Sequence, residues 1–387
     1  MSPTFASIGD ARIAAKRRLP KIFFDYIDGG SSAEETLRAS TGDFGQWQLQ
    51  QRVLAGVQPR DLATDFLGRR NALPFMLGPV GFLGLFAGKG EILAARAAHA
   101  ADIPTCLSNF SIASLADLRG AGCRGPLHFQ LYVLKDRGLA EKFVAAAEAA
   151  DVDTLFLTVD TAVTGVRERD ARNGFRAVTR VGPRMGFGMA LRPAWCLDMA
   201  RAGRPGVGAV RGQTEFGRGI LEQAATLSRL IDPALSWDDV AWLRGRWKGR
   251  LVIKGILHAD DALRARDAGA DAIVVSNHGG RQLDGAPSTV SVLPEIVDAL
   301  AGSLDVLLDG GVRRGTDIVK AIALGASGVM LGRAYAFGVA AGGEAGVARV
   351  IDLLRGEIDV TLALMGISSV DELKTKGRSV LRTVSAA

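Results

Sequence analysis

Eight short apolar runs alternate with helical stretches along the 387 residues, and this alternation predicts a closed (β/α)8 barrel, the TIM barrel architecture. Two further observations agree. The runs are apolar nearly throughout, as expected of strands buried on both faces. The turn after the first run, Gly78-Pro79-Val80-Gly81, lacks the GxGxxG spacing that an open doubly wound sheet more often shows there.

The chain before Leu73 is expected to be a helical preamble (1–72). Leu19 to Ile27 is a short amphipathic helix stopped by Asp28-Gly29-Gly30. Ser32-Ala33-Glu34-Glu35 opens another, with Glu35 three residues after a Ser cap. The preamble is too poor in apolar residues to be a domain, so it should pack across something larger. The barrel is expected over 73–366, within one domain spanning 1–387. Its strands are Pro74–Gly78, Thr105–Ser108, Leu127–Leu131, Thr154–Val159, Leu251–Lys254, Ala272–Val275, Val306–Asp309 and Gly328–Leu331. Helices are expected at Glu91–Ala101, Ser114–Arg119, Leu139–Ala150, Trp237–Trp247, Ala259–Ala268, Gly315–Leu324 and Arg349–Leu364. The rhythm breaks after the fourth strand, where residues 161–235 form a long insertion.

In this fold, catalytic groups leave the C-terminal ends of the strands. Those ends carry Pro79, Val80 and Gly81; Ser108; Gln130 and Tyr132; Thr158 and Asp160; Lys254; Ser276, His278 and Arg281; Asp309, Gly310, Gly311 and Arg313; and Gly332 with Arg333. A barrel with only a structural role has no reason to line one rim with hydrogen-bonding and charged groups. The stretch Ser276-Asn277-His278-Gly279-Gly280-Arg281-Gln282-Leu283-Asp284-Gly285 puts a proton acceptor and a carboxylate-shaped guanidinium on one loop. Taken alone, it fits a polar surface loop equally well. Gly310-Gly311-Val312-Arg313 and Gly332-Arg333 follow strands seven and eight, where this fold usually binds phosphate. The donors Ser108, Gln130, Thr158 and Ser276, with Lys254, suit a flat heterocycle rich in carbonyls and ring nitrogens. Phosphate plus such a ring points to FMN, with Lys254 stabilising negative charge on the reduced ring. His99, His128 and His258 lie away from that rim and are expected to be structural or solvated.

Composition sets limits. Hydrophobic residues make up 48% and charged residues 23%, as in a soluble globular chain. No secretory signal or membrane-spanning run is seen. The three cysteines, Cys106, Cys123 and Cys196, form no disulfide framework or zinc pattern, so a cytoplasmic location and no metal are expected. The net charge of +6 is local. Between Phe175 and Ile220 stand eight arginines (Arg176, Arg180, Arg184, Arg192, Arg201, Arg204, Arg211 and Arg218) against Asp198 and Glu215. No nucleic-acid motif or set of stacking aromatics accompanies them. An anionic membrane surface fits better, with 176–218 as a peripheral contact. Met185 to Leu191 and Trp195 would supply the apolar anchors.

Ser276 to Asp284, Gln130-Leu131-Tyr132, Leu157-Thr158-Val159-Asp160 and Asp309-Gly310-Gly311-Val312-Arg313-Arg314-Gly315 resemble the FMN-dependent L-2-hydroxy acid oxidase and dehydrogenase family. The likeness runs from Leu19 to about Ile367. It is nearest the membrane-associated (S)-mandelate and L-lactate dehydrogenases, through Gly81 and the Arg192 to Pro205 segment. The resemblance implies oxidation of a 2-hydroxy acid to a 2-oxo acid. His278 would be the base, held by Asp160; Arg281 and Arg167 would bind the substrate carboxylate. Tyr26 and Tyr132 would hydrogen-bond to the carboxylate or hydroxyl, so Tyr26 must reach over the barrel mouth. Pro79, Val80, Gly81, Ser108, Gln130, Thr158, Lys254 and Ser276 would contact the flavin ring and ribityl chain. Asp309, Gly310, Gly311, Arg313, Gly332 and Arg333 would hold ribityl and phosphate. His278 either takes the α-proton or takes the hydroxyl proton while hydride leaves; both stay open. The resemblance also implies a homo-oligomer and a quinone-type electron acceptor, with an oxygen-using, peroxide-releasing oxidase as the alternative. A non-catalytic flavin-binding barrel is the remote alternative, disfavoured by intact His278, Arg281, Asp160 and Lys254. Phe110 should fill part of the substrate pocket, and lactate and mandelate both stay open.

Overall fold

A computed structural model describes residues 4–56, 59–173, 182–203 and 205–384, apart from the side chain of Arg184. Eight parallel strands close into the expected barrel. They are β1 Phe75–Leu77, β2 Thr105–Ser108, β3 Leu127–Leu131, β4 Thr154–Thr158, β5 Arg250–Ile256, β6 Ala272–Val275, β7 Asp305–Leu308 and β8 Gly328–Leu331. Around the barrel the order is β7-β8-β1-β2-β3-β4-β5-β6. Nearly every strand residue is buried, because helices cover the outer face and side chains fill the lumen. Met76, Cys106, Phe156, Val252, Val274, Leu307 and Met330 form a core cluster of their own, filling the lumen below the mouth. A two-stranded hairpin, Thr64–Phe66 with Arg69–Asn71, adds Phe66 and Leu67 to this cluster and plugs the floor. The Leu67 amide donates to Asp305 Oδ2 (2.8 Å) at the start of β7, which holds the plug in place.

The preamble packs across the barrel, as expected. Helix Ile8–Arg18, capped by Ser7, lies along the long helix Arg333–Met365. That long helix bends at Gly342 and Gly343 and contains the segment expected at Arg349–Leu364. Helix Lys21–Asp28 buries seven of its eight residues, so it is sandwiched rather than laid on the surface. Its terminal carbonyls would otherwise be orphaned. Arg281 Nη1 takes Tyr26 O (2.5 Å) and Gly29 O (2.8 Å), and Arg333 takes Ile27 O (2.8 Å) and Gly29 O (2.7 Å).

The Ser32 cap is not formed. The next helix, Glu35–Gly42, is preceded by Glu34 in a left-handed conformation with no side-chain cap. The Thr36 amide is satisfied instead by Asp284 Oδ1 (2.9 Å), from the loop after β6. Glu34 is turned to Gly30 N (2.9 Å) and Arg169 (2.6 Å), which also reaches Asp28 (2.9 Å). A helix that the sequence reading omitted, Thr289–Leu300, follows the β6 loop and carries Pro294 inside it.

The segment between β4 and β5 contains helices Glu168–Asn173, Pro183–Ala190, Pro193–Ala202 and Ile220–Leu230. Trp195 is not an outward anchor. It is 7% exposed, packs at a tilt against Phe23 with ring centroids 5.3 Å apart and donates from its indole to Leu85 O (2.8 Å). It therefore fastens the segment to the barrel. Phe187, Leu191 and Leu197 are exposed there, as are Val163 and Val166 near the start of the segment. Arg176, Arg180 and Arg204 lie outside the described residues. Arg211 pairs with Asp117 (2.8 Å) and Arg192 donates to Leu19 O (3.1 Å), so part of the basic excess serves the fold.

Candidate functional site

The C-terminal ends of the strands surround one cavity at the barrel mouth, roofed by Tyr26 and Ile27 from the preamble. His278 stands at its wall. Its Nδ1 lies 2.9 Å from Asp160 Oδ1, and its Nε2 lies 3.3 Å from the Tyr132 hydroxyl. The His278 amide donates to Ser276 Oγ (3.1 Å), which fixes the turn. Burial lowers the imidazole's pKa below its ordinary value; Lys254 and Arg167 push the same way, and Asp160 opposes them. Burial also disfavours charge on Asp160, but His278 and Lys254 outweigh this and keep its carboxyl below the usual range. A neutral imidazole backed by a carboxylate can accept a proton at Nε2 and be stabilised once charged.

A β-bulge places the lysine. The β5–β6 register slips between Lys254 and Ile256, and Gly255 sits at φ +118°. A Cβ on Gly255 would lie 2.7 Å from Asp160 Cβ, so only glycine lets the two strand ends meet this closely. Lys254 Nζ donates to Ser276 Oγ (2.9 Å) and pairs with Asp309 Oδ2 (3.1 Å). Burial would lower its pKa, yet Asp309 and Asp160 raise it above the lysine range, so the ammonium stays charged.

Four guanidiniums converge from the other side. Arg281 lies over the Tyr26 ring at 4.7 Å; its Nη2 is buried and has no hydrogen-bond partner among the described residues. Arg167 reaches Arg281 O (3.3 Å) and Gln282 Oε1 (3.4 Å). Arg313 and Arg333 both line the cavity, and burial lowers the pKa of each. Arg281 and Arg313 lower that of Arg333 further. Arginine does not give up its proton in a protein, so crowded buried guanidiniums call for an anion.

Of the residues named from the sequence, all but two line this cavity. Asp160 stands behind His278. Ser276 is fully buried one layer deeper than expected, between Lys254 and the His278 backbone. The cavity also takes in Thr161, Thr164, Ile231 and Gln282, which the sequence reading did not single out. Ile231 arrives through a bridge to Leu134, formed where the long insertion returns to the barrel; no local pattern marks it. Gln282 lies inside the signature loop and could have been found there. The remaining histidines are elsewhere: His128 pairs with Asp153 (2.8 Å), His258 accepts the Asp260 amide (3.2 Å) as a helix cap, and His99 ends helix Gly90–Ala100.

A family model described as FMN-dependent dehydrogenase matches residues 15–380. The chain belongs to the FMN-dependent dehydrogenase family. It is 46% identical over 366 residues to an L-lactate dehydrogenase of Caulobacter vibrioides, covering 94% of this chain and 95% of that one. An L-lactate dehydrogenase of Pectobacterium atrosepticum is 44% identical over 368 residues, covering 94% of each. Among solved structures, monotopic membrane protein (S)-mandelate dehydrogenase superimposes with a TM-score of 0.93 at 39% identity, covering 98% of this chain and all of that one.

The cofactor of this family is FMN, and the cavity fits it. Ser108 Oγ engages Gln130 Oε1 (2.6 Å), leaving Gln130 Nε2 buried without a partner among the described residues. Thr158 Oγ1 and Asp309 Oδ1 are buried and unpartnered in the same sense. Native proteins rarely leave so many buried polar atoms unpaired in one place. A ring with both donors and acceptors, carried on a hydroxylated chain with a phosphate, satisfies these atoms and the guanidiniums together.

Proposed function

We propose that this FMN-dependent enzyme oxidises a short L-2-hydroxy acid of the lactate type to its 2-oxo acid and passes the electrons to a membrane quinone. One observation carries the reading. His278, backed by Asp160, and Arg281, whose Nη2 has no partner among the described residues, line the same cavity, so a proton acceptor and a carboxylate anchor share one small volume. Arg281, with Arg167 beside it, binds the carboxylate and orients the α-carbon. Tyr132 and Tyr26 hydrogen-bond to the hydroxyl or carboxylate. His278 takes a proton at Nε2, and Asp160 stabilises the resulting imidazolium. FMN, when bound, takes up the two electrons. Lys254 would supply a fixed positive charge to stabilise the reduced ring, Gln130 and Thr158 would hydrogen-bond to the ring, and Asp309, Arg313 and Arg333 would hold the ribityl and phosphate groups.

Phe110 supports a short side chain. It is 3% exposed and meets Tyr132 edge-on at 5.2 Å and Phe82 at 5.9 Å, so aromatic packing holds it in the pocket wall. The likeness to L-lactate dehydrogenases agrees. The exposed Phe187, Leu191 and Leu197, and the likeness to a monotopic membrane protein, support a membrane acceptor. Among the described residues no helix is long and apolar enough to cross a membrane, so contact would be peripheral. An anaerobic bleaching screen of the yellow enzyme over L-lactate, glycolate and (S)-mandelate tests the substrate. L-lactate should bleach fastest, and bleaching by none of the three would end the proposal. In air, the reduced enzyme should stay bleached until a quinone is added; rapid reoxidation with peroxide release would overturn the acceptor assignment.

A further inference from the structure

Gln282 adds four hydrogen bonds between two loops that also meet at the His278–Asp160 bond and through Arg167 to Arg281 O. One follows β4 and carries Asp160 and Arg167. The other follows β6 and carries His278 and Arg281. Gln282 Nε2 donates to Asp160 O (2.8 Å) and Val163 O (2.9 Å). Its Oε1 accepts from Gly165 N (3.3 Å) and from Arg167 Nη2 (3.4 Å). Both donors and both acceptor sites of the carboxamide are thereby used. The orientation is unambiguous, since a flipped amide would set oxygen against two carbonyls and nitrogen against two donors. The loops touch at the limit of contact: a Cβ on Gly165 would lie 2.6 Å from Arg281 O and 2.7 Å from Gln282 O.

We infer that Gln282 is a positioning residue, which sets the distance between the His278–Asp160 pair and the Arg167–Arg281 clamp by tying the β4 loop to the β6 loop at four points. The inference rests on the proposed 2-hydroxy acid chemistry. Gln282 handles no proton and no electron. It acts through Asp160, whose backbone it holds, and through Arg167, whose guanidinium it orients. Losing it should therefore affect carboxylate binding and base strength together, although neither group has been changed.

The test is Gln282→Met, which keeps length and bulk and removes the hydrogen bonds, beside Gln282→Glu, which keeps Oε1 as an acceptor and puts a second oxygen against the two carbonyls. Both are compared with wild-type holoenzyme that L-lactate bleaches; an inactive wild type would defeat the functional proposal rather than this one. For Gln282→Met, kcat/KM should fall on the order of 10²-fold, the scale of a misplacement of about 1 Å. Affinity for the 2-oxo acid product, titrated through the flavin spectrum, should weaken in parallel. The acidic limb of kcat/KM should also move to lower pH. His278 faces Asp160, Tyr132, Lys254 and Arg167, and of the charges among them Asp160 raises its pKa most, so loosening Asp160 lowers it. Gln282→Glu should retain more product affinity than Gln282→Met, because Arg167 keeps its acceptor. Near wild-type kcat/KM in Gln282→Met would overturn the inference. So would an activity loss with unchanged product affinity and an unmoved acidic limb, or one that merely tracks a loss of FMN content and thermal midpoint.

Discussion

His278 sits at φ +56°, a conformation that side chains other than glycine seldom adopt, and the surrounding bonds explain how it is held there. Ser276 Oγ takes its amide, Asp160 takes Nδ1, and glycines 279 and 280 continue the left-handed turn. The imidazole is thus aimed before substrate arrives. Burial, helped by Lys254 and Arg167, lowers its pKa from the ordinary imidazole value, and the proposed chemistry needs the neutral form. The sign follows: kcat/KM should be flat above that pKa and fall tenfold per pH unit below it. The midpoint should therefore lie below that of a free imidazole in a stopped-flow profile of flavin reduction. A midpoint above that of a free imidazole would mean that Asp160 dominates the burial. His278→Asn should keep the yellow cofactor and lower the reduction rate roughly 10²–10⁴-fold, the usual worth of a general base. Arg281→Met removes a charge-assisted hydrogen bond worth about 2 kcal/mol. It also strips two backbone carbonyls of their donor. Substrate KM should rise roughly 30-fold or more, with a lower thermal midpoint, whereas a variant confined to the carboxylate would leave that midpoint alone.

At the level of the strand and its loop, the bulge at Gly255 decides whether Lys254 and Asp160 can share one corner of the mouth. Gly255→Ala would force a Cβ to within 2.7 Å of Asp160 in a backbone geometry that alanine resists. The expected cost is about 2–3 kcal/mol in denaturant unfolding, with a disproportionate loss of kcat; full activity in that variant would show that the bulge can relax. The barrel strands were legible in the sequence because burial on both faces leaves an apolar run with little room for exceptions. The site was legible because strand ends in this fold face one mouth. Elements whose cause is distant were not legible. Helix Ile8–Arg18 turns only Ile8, Ala11 and Ala15 inward, too weak a stripe to notice beside its charges. Helix Thr289–Leu300 carries a proline that argues against a helix locally. The cap at Thr36 comes from Asp284, and the Ser32 motif that predicted a local cap lost to it. Trp195 read as an anchor from its apolar neighbours; its real partners, Phe23 and Leu85, are more than a hundred residues away.

On the scale of the whole molecule, the preamble, the signature loop and the segment between β4 and β5 meet over one mouth, held by shared groups. Asp28 pairs with Arg12 and with Arg169 (2.9 Å), so three separate stretches of chain close on one buried carboxylate. With Trp195 turned inward, the same segment still leaves Phe187, Leu191 and Leu197 at 69%, 59% and 52% exposure. Soluble surfaces carry single apolar residues freely, but three on two helices that pack together and the turn between them call for a partner. Inserting such side chains into an acyl boundary yields about 1.5–3 kcal/mol each when complete, and anionic headgroups add attraction for nearby arginines within a Debye length. The holoenzyme should therefore co-sediment with vesicles of anionic phospholipid at low salt. Changing Phe187, Leu191 and Leu197 together to Ser should lower that partition by roughly three orders of magnitude or more, on the scale of those transfer energies. Bleaching by substrate in solution should be unchanged, because none of the three lines the cavity. Reduction of a quinone dissolved in the vesicles should fall with the partition. If the triple variant still sediments with vesicles, the apolar face is not what holds the enzyme there, and charge alone accounts for the contact. If it is released yet reduces vesicle quinone as before, the acceptor is reached from solution and the membrane reading fails while the oxidation of the hydroxy acid stands.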